Sequence, residues 1–172
     1  MRIVILNVAI TLDGMIEGPS GEIDWCLTDA DYGMTAFLQR IDTIVMGRKS
    51  YEQFIALSPD LWSDKRKYVF SRSLQTVAPG FEKVEDTPSD FINNLRAQPG
   101  GDVWLFGGAI LTQAFLEAGL LNELLLAIHP VVLGGGKPMF PSAQRLPLEL
   151  ISSRAWPSGL IQAAYRLKTP VP

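Results

Sequence analysis

The sequence is poor in the residues that form disulfides, metal centres and nucleic-acid-binding surfaces. Its 172 residues include one cysteine and one histidine. One cysteine excludes an internal disulfide and a cysteine-rich zinc site, so we expect no metal and a cytoplasmic protein. Lys and Arg total 15 against 18 for Asp and Glu, a formal net charge of −3. Because non-specific nucleic-acid binding needs a basic surface, we expect no nucleic-acid partner.

Long apolar runs are also missing. None approaches the ~18 residues that span a membrane, so we expect no membrane partner. The first apolar run, 3–12, contains Asn7 and is followed by Asp13-Gly14, which indicates a strand rather than a signal peptide. Hydrophobic residues make up 47% of the chain, enough for a buried core. This length predicts a single domain over residues 1–172.

Segments typical of strands and helices alternate along the chain. The predicted buried strands are 3–12, 43–46, 68–70, 103–106 and 124–132. The predicted helices are 28–41, 49–55, one that opens at Thr87-Pro88, and 109–118. Residues 148–151 and 160–167 are predicted to form a final antiparallel pair of strands. The predicted fold class is α/β, with a mostly parallel central sheet, helices on both faces and an antiparallel C-terminal part.

Three predicted strands end in small or basic residues. Their ends read Met-Gly-Arg-Lys-Ser at 46–50, Phe-Ser-Arg-Ser at 70–73 and Phe-Gly-Gly-Ala at 106–109. Ligands of an open parallel sheet bind beyond the carboxyl ends of its strands, and helix N-termini favour phosphate. Each segment alone is equally typical of turn chemistry or a surface charge. Three of them on one sheet predict a site for an anionic dinucleotide.

The standard nucleotide-binding fingerprints are absent. No G-x-G-x-x-G follows a strand, and there is no P-loop. A Rossmann NAD site places an acidic residue ~20 positions after its glycines, where this chain has Ala127. Arg48 and Arg72 favour an additional phosphate, and therefore NADPH over NADH.

Four segments in order resemble the dihydrofolate reductase superfamily. They are 8–16 (Val-Ala-Ile-Thr-Leu-Asp-Gly-Met-Ile), 45–52 (Val-Met-Gly-Arg-Lys-Ser-Tyr-Glu), 69–73 (Val-Phe-Ser-Arg-Ser) and 105–109 (Leu-Phe-Gly-Gly-Ala). The Leu-Asp-Gly at 12–14, the Val-Val-Leu-Gly-Gly-Gly-Lys-Pro at 131–138 and Phe140-Pro141 are more similar to its riboflavin-pathway branch, the reductase domain of the bacterial bifunctional deaminase-reductase. The resemblance spans nearly the whole chain.

The resemblance implies a three-layer αβα fold and NADPH as cofactor. It assigns the phosphates to Gly47, Arg48, Lys49 and Ser50. It assigns the adenosine 2′-phosphate to Ser71, Arg72 and Ser73. The pyrophosphate and nicotinamide ribose would contact Gly107, Gly108, Ala109 and Ile110. The nicotinamide would be bordered by Ala9 and Ile16.

The resemblance also makes Asp31 the candidate catalytic carboxylate. On the predicted helix 28–41, Asp31 and Thr35 share one ridge, so both are expected to line the substrate pocket. Asp31 would bind an amide or amidine edge and help supply the proton that complements hydride transfer. The alternatives are that Asp31 only caps the helix, as a capping box with Thr28, or that Asp29 is the functional carboxylate. Asp13 is a candidate substrate contact, with a turn role as the alternative.

His129 is expected to be structural, because no orienting partner for it is visible in the sequence. Cys26, beside Trp25, is expected to be a packed or loop residue rather than a nucleophile. The zinc signatures of the deaminase half are missing, so a stand-alone reductase is expected. Ile23-Asp24-Trp25 replaces the Pro-Trp loop of dihydrofolate reductases, which argues against folate.

The predicted function is that of an NADPH-dependent reductase similar to 5-amino-6-(5-phosphoribosylamino)uracil reductase. Its substrate would be a pyrimidine- or pterin-like small molecule. The alternatives are dihydrofolate reduction proper and a non-catalytic nucleotide-binding dimer module. A homodimer is expected, formed by the Gly-rich segment 133–136 and the strand at 124–132.

Overall fold

Strands and helices alternate in the computed structural model, which describes residues 2–58, 60–140 and 145–168. The strands are β1 (Val4–Thr11), β2 (Met15–Glu17), β3 (Ile41–Gly47), β4 (Arg66–Phe70), β5 (Phe81–Val84), β6 (Asp102–Gly107), β7 (Glu123–His129), β8 (Lys137–Pro138), β9 (Leu148–Ala155) and β10 (Ile161–Leu167). The helices are α1 (Met34–Arg40), α2 (Arg48–Leu57), α3 (Pro88–Arg96) and α4 (Ala109–Glu117). Within these ranges no helix is long and apolar enough to cross a membrane.

Eight of the described strands form one sheet in the order β5-β4-β3-β6-β1-β7-β10-β9. The central strand β1 pairs in parallel with β6 and β7. The last two strands are antiparallel, because β10 runs against both β7 and β9. A mostly parallel sheet with an antiparallel C-terminal part confirms the predicted fold class.

The sheet is covered on both faces. Helices α1 and α2 bury Phe37 and Phe54 against one face, and α3 and α4 bury Phe91 and Phe115 against the other. A strand buried on both faces needs apolar residues at successive positions, as the run 3–6 provides. The three predicted layers are therefore present.

The start of α3 agrees with its sequence signal. Thr87 is the N-cap, and its Oγ1 accepts a hydrogen bond from the Asp90 amide at 3.2 Å. Pro88 occupies the first helical position, where its missing N–H costs nothing.

The first helix is shorter than predicted. It begins at Met34 rather than at residue 28, and Ile41 already belongs to β3. The backbone of Tyr32 (φ 48°) and Gly33 (φ 78°) is left-handed, which a continuous right-handed helix cannot contain. The predicted capping box of Thr28 and Asp31 is wrong, since Asp31 instead accepts hydrogen bonds from Thr35.

The predicted strand 124–132 is also too long at its end. The strand β7 ends at His129, because Pro130 has no amide proton to continue the ladder. The sequence patterns missed β2, β5 and β8, which have two to four residues each. Strands this short carry too little alternation to be recognised.

A buried arginine, Arg2, connects neighbouring segments near the amino ends of the strands, away from their carboxyl ends. Arg2 is 4% exposed and pairs with Asp42. Its guanidinium also donates to Thr43 Oγ1 at 2.7 Å and to the Gly101 carbonyl at 2.7 Å. The guanidinium of Arg2 therefore has a structural role.

Candidate functional site

The three strand ends singled out in the sequence lie side by side. In the sheet, β3 is flanked by β4 and β6. Gly47 at the end of β3 is opposite Phe70 of β4, and Met46 is opposite Gly107 of β6. Every cofactor residue expected from the sequence lines one or the other of two neighbouring cavities at this edge of the sheet.

The first cavity, of about 430 Å³, is called the basic cleft here. Its lining combines cations, small residues and apolar side chains: Gly47, Arg48, Lys49, Phe70, Ser71, Arg72, Ser73, Gly108, Ala109, Ile110, Leu111, Ala114 and Lys137. The side chain of Ile110 is 88% exposed and offers this cleft an apolar contact.

The two arginines of the basic cleft have different surroundings. Arg48 Nη1 donates to Ser73 Oγ at 3.0 Å, and Arg48 Nε donates to Glu52 Oε1 at 2.6 Å. The hydrogen bond from Arg48 to Ser73 joins the end of β3 to the loop after β4. Arg72 is exposed and makes no hydrogen bond or ion pair with another residue in the described ranges. The guanidinium of Arg72 is therefore available to an anion.

Two helices begin beside the basic cleft without side-chain caps. Gly47 precedes α2 and Gly108 precedes α4, and because glycine has no side chain, neither N-cap residue can accept a hydrogen bond from the first amides of its helix. Gly107 (φ 131°) and Gly108 (φ 97°) adopt backbone conformations that side chains rarely allow. A Cβ on Gly108 would lie 3.4 Å from Ser50 Oγ. These glycines keep the backbone close to any bound anion.

The second cavity, of about 500 Å³, is called the aromatic cavity here. Its wall includes Trp62, Trp104 and Phe106. The ring of Trp104 lies 4.8 Å from that of Trp62 and 5.0 Å from that of Phe106, centroid to centroid. Gly108 lines both cavities, so they meet at this residue. Of the expected cofactor residues, the aromatic cavity holds Ala9, Ile16, Ser50, Gly107 and Gly108.

Asp31 lines the aromatic cavity, on the loop before α1 rather than on the helix. Its Oδ1 accepts hydrogen bonds from the Thr35 hydroxyl at 2.8 Å and from the Thr35 amide at 3.0 Å. These bonds hold the pKa of the Asp31 carboxyl below its ordinary value, so it is ionised at neutral pH. Thr35 itself is not in the described lining, contrary to the expectation from the ridge.

The rival carboxylate Asp29 also lies outside the described lining of the cavity. It accepts a hydrogen bond from the Tyr32 hydroxyl at 2.5 Å. That hydroxyl is 2.8 Å from Ser158 Oγ in the turn between β9 and β10. The role of Asp29 in the fold is thus to connect the loop before α1 to the C-terminal hairpin.

Asp13 lines neither cavity. Its carboxylate accepts hydrogen bonds from the Thr11 hydroxyl at 2.5 Å and from the Gly134 amide at 2.9 Å. These bonds lower the pKa of Asp13, with the Thr11 hydroxyl as the largest cause. The observed contacts match the turn alternative, which fixes the end of β1 to the Gly-rich segment 133–136.

His129 and Cys26 both line the aromatic cavity. His129 Nδ1 accepts a hydrogen bond from the Leu27 amide at 3.2 Å, and Trp25 packs edge-on at 5.2 Å. Burial lowers the pKa of His129, so the imidazole is neutral at pH 7 with its proton on Nε2. Burial, and then the charge of Asp24, raise the pKa of the Cys26 thiol, which is therefore protonated.

Several lining residues had no signal that the sequence patterns used. Lys137 lies in a quoted motif, but its position in the basic cleft depends on the pairing of β8 with β2. Gln53 lines the aromatic cavity together with Ser50. Their i, i+3 spacing on α2 could have revealed Gln53. The described residues contain no group of three or more His, Cys, Asp or Glu side chains placed to hold a metal.

The fold and the paired cavities define an α/β domain with a site at the carboxyl ends of its central strands. The model of the RibD C-terminal domain family matches residues 2–162, and the chain belongs to this family. The uncharacterised protein YyaP of Bacillus subtilis (strain 168) is 44% identical over 177 residues, covering 95% of this chain and 94% of YyaP.

Two solved structures extend the comparison. A protein of Shewanella sp. PV-4, described as a putative riboflavin biosynthesis protein, has a TM-score of 0.87 at 28% identity and covers 97% of this chain and 99% of its own. The diaminohydroxyphosphoribosylaminopyrimidine deaminase/5-amino-6-(5-phosphoribosylamino)uracil reductase of Thermotoga maritima has a TM-score of 0.76 at 16% identity. It matches 97% of this chain over 57% of its own length, and at this identity it shows the fold alone.

Proposed function

We propose that this protein is an NADPH-dependent reductase of the riboflavin-biosynthesis type that acts on a pyrimidine- or pterin-like small molecule. The observation that carries the proposal is the junction of the two cavities at Gly108. One cavity is lined by cations beside two uncapped helix N-termini, and the other by aromatic rings and a carboxylate. A dinucleotide needs an anion site connected to a site for its reactive ring.

The residues of the basic cleft fit NADPH. Arg48 and Ser73 already contact each other, and Arg72, which pairs with no residue in the described part of the chain, precedes Ser73 in the loop after β4. We assign the 2′-phosphate to Ser71, Arg72 and Ser73. We assign the other phosphates to Gly47, Arg48, Lys49 and Ser50. We assign the pyrophosphate and nicotinamide ribose to Gly107, Gly108, Ala109 and Ile110, and the border of the nicotinamide to Ala9 and Ile16.

When bound, the nicotinamide supplies a hydride. The protein would orient the substrate and exclude water, which the aromatic walls around Trp104 favour. Asp31 would accept hydrogen bonds from the substrate's N–H groups. Because its pKa is lowered, Asp31 is ionised at neutral pH and would accept hydrogen bonds from the substrate rather than supply the proton that complements hydride transfer.

Oxidation of NADPH tests this function. We expect loss of the reduced-nicotinamide absorbance only when an acceptor from a panel of pterins and aminopyrimidines is present. Binding of NADPH without oxidation by any acceptor would instead support the non-catalytic module.

We also propose a homodimer, but on a different surface from that expected. Both edges of β7 are paired within the sheet, so the strand at 124–132 offers no free edge. The edge strand β9 is exposed along its whole length, and its apolar side chains Leu148 (37%), Leu150 (55%) and Ile151 (43%) lie close together at its start. Apolar side chains grouped in this way are typical of an interface.

Sedimentation equilibrium tests the dimer. We expect twice the chain mass of 18.9 kDa for the wild type and a monomer for Leu150→Glu. Leu57→Glu is the control, because Leu57 is 76% exposed on α2 and outside this surface. A monomeric wild type at micromolar concentration would rule the dimer out.

A further inference from the structure

All lysine and arginine residues in the described lining of the two cavities belong to the basic cleft. The basic cleft carries Arg48, Lys49, Arg72 and Lys137. The ionisable residues of the aromatic cavity are Glu17, Cys26, Asp31, Tyr32 and His129, and its described lining contains no lysine or arginine. The residues outside the described ranges, 1, 59, 141–144 and 169–172, include no lysine or arginine in the sequence.

The protonation states give the aromatic cavity a negative charge. Asp31 is an anion, because the hydrogen bonds from Thr35 lower its pKa. His129 is neutral, because burial lowers its pKa. Glu17 is compensated by Lys137, whose Nζ lies 3.0 Å from Glu17 Oε1. The carboxylate of Asp31 is therefore the uncompensated charge of this cavity.

The chain segment that builds much of the cavity reinforces this charge. Residues 3–39 contain six acidic side chains and no lysine or arginine. They provide the cavity residues from Asn7 to Met34. A phosphate brought beside the exposed Asp31 carboxylate would be repelled by its charge, most strongly at low ionic strength.

The walls favour a flat ring. Trp62 and Phe106 are half-buried and line the cavity. They pack against Trp104, which is 3% exposed and whose Nε1 donates to the Asn7 carbonyl at 3.1 Å. The polar atom of Trp104 is thus satisfied within the protein. The faces of aromatic rings attract flat π systems, and attract cationic ones more strongly.

We propose that the substrate is a planar nitrogen heteroaromatic without a phosphate group, neutral or cationic, and that the aromatic cavity discriminates against phosphorylated forms. The inference rests on the proposed function only in taking this cavity as the substrate side of the site. The proposed substrate differs from that of the Thermotoga maritima protein, whose name specifies a phosphoribosyl group on its substrate.

Equilibrium binding of neopterin and of neopterin monophosphate tests the proposal without turnover. The two probes share one ring and differ by one phosphate. We expect neopterin to bind at least about 10-fold more tightly than its phosphate ester, measured by quenching of tryptophan fluorescence. In Asp31→Asn, whose amide oxygen still accepts from Thr35, the preference should shrink to about threefold or less. Asp29→Asn is the matched control, with the same loss of charge outside the cavity lining, and should keep the full preference.

Two results would overturn the proposal: equal or tighter binding of the phosphate ester, or no binding of neopterin at millimolar concentration. A separate NADPH titration distinguishes this failure from that of the proposed function. Binding of neopterin with its expected preference but none of NADPH would refute the NADPH reductase and support the substrate class. Binding of NADPH without a preference for neopterin over its phosphate ester would refute the proposed substrate class and leave the NADPH reductase supported.

Discussion

Replacing both Arg48 and Arg72 with alanine is expected to weaken NADPH binding about 100-fold and NADH binding about 10-fold or less, because Arg48 is also assigned to a phosphate that both cofactors carry. Hydrogen bonds to charged groups contribute about 1.5–3 kcal/mol each, and about 2.7 kcal/mol corresponds to 100-fold. The 2′-phosphate is the only group that distinguishes the two cofactors. Arg72, without an ion-pair partner in the described ranges, should account for most of the effect, because Arg48 is shared with Glu52.

Titrations of the wild type and the double variant with each cofactor measure this difference. The matched control is Arg166→Ala with Lys168→Ala, which removes the same two charges. Both residues are exposed, and Arg166 is opposite Glu123 at the other end of the sheet. An equal loss of affinity for NADPH and NADH in the arginine variant would contradict the assignment of the 2′-phosphate.

The Gly108→Val variant is expected to lose NADPH binding by about 100-fold or more. Gly108 lines both cavities, and any Cβ there would lie 3.4 Å from Ser50 Oγ. A valine would narrow the junction that a dinucleotide must cross. Its φ of 97° also imposes strain on a side chain, on the order of 1–3 kcal/mol.

The control variant Gly80→Val distinguishes the effect of backbone strain from the effect of narrowing the junction between the cavities. Gly80 has a φ of 83°, and a Cβ there meets nothing within 4 Å. This variant should share the loss of thermal stability but keep NADPH affinity within about twofold. If Gly108→Val bound NADPH normally, the cofactor would not cross this junction.

The strand ends of the site were predictable because their signals are local. Gly47, Gly107 and Gly108 lie where a strand gives way to a helix, and parallel pairing alone makes such ends adjacent. Nothing further along the chain was needed to place Arg48, Ser73 and Gly108 at one edge.

The loop before α1 was not predictable, because long-range contacts determine it. Its apolar spacing resembles a helix from residue 28. The observed conformation depends on a hydrogen bond from the Gln162 side chain to the Tyr32 carbonyl at 2.9 Å. Gln162 is 130 residues away and becomes a neighbour only when β10 joins the sheet. Asp31 therefore lies in the expected cavity, but on a loop rather than on the predicted helix.

The aromatic cavity could not be predicted from the sequence either, because long-range contacts bring its residues together. Trp104 is an ordinary strand residue by pattern, and His129 had no visible partner. Its partner is the Leu27 amide, 102 residues earlier. Residues such as these are recognised as a site only after the sheet has assembled.

Calorimetric titration of the purified chain with NADPH and with NADH measures whether the basic cleft binds this cofactor. We expect one NADPH per chain, with at least about 10-fold preference over NADH. Absence of NADPH binding at near-millimolar cofactor would contradict this expectation.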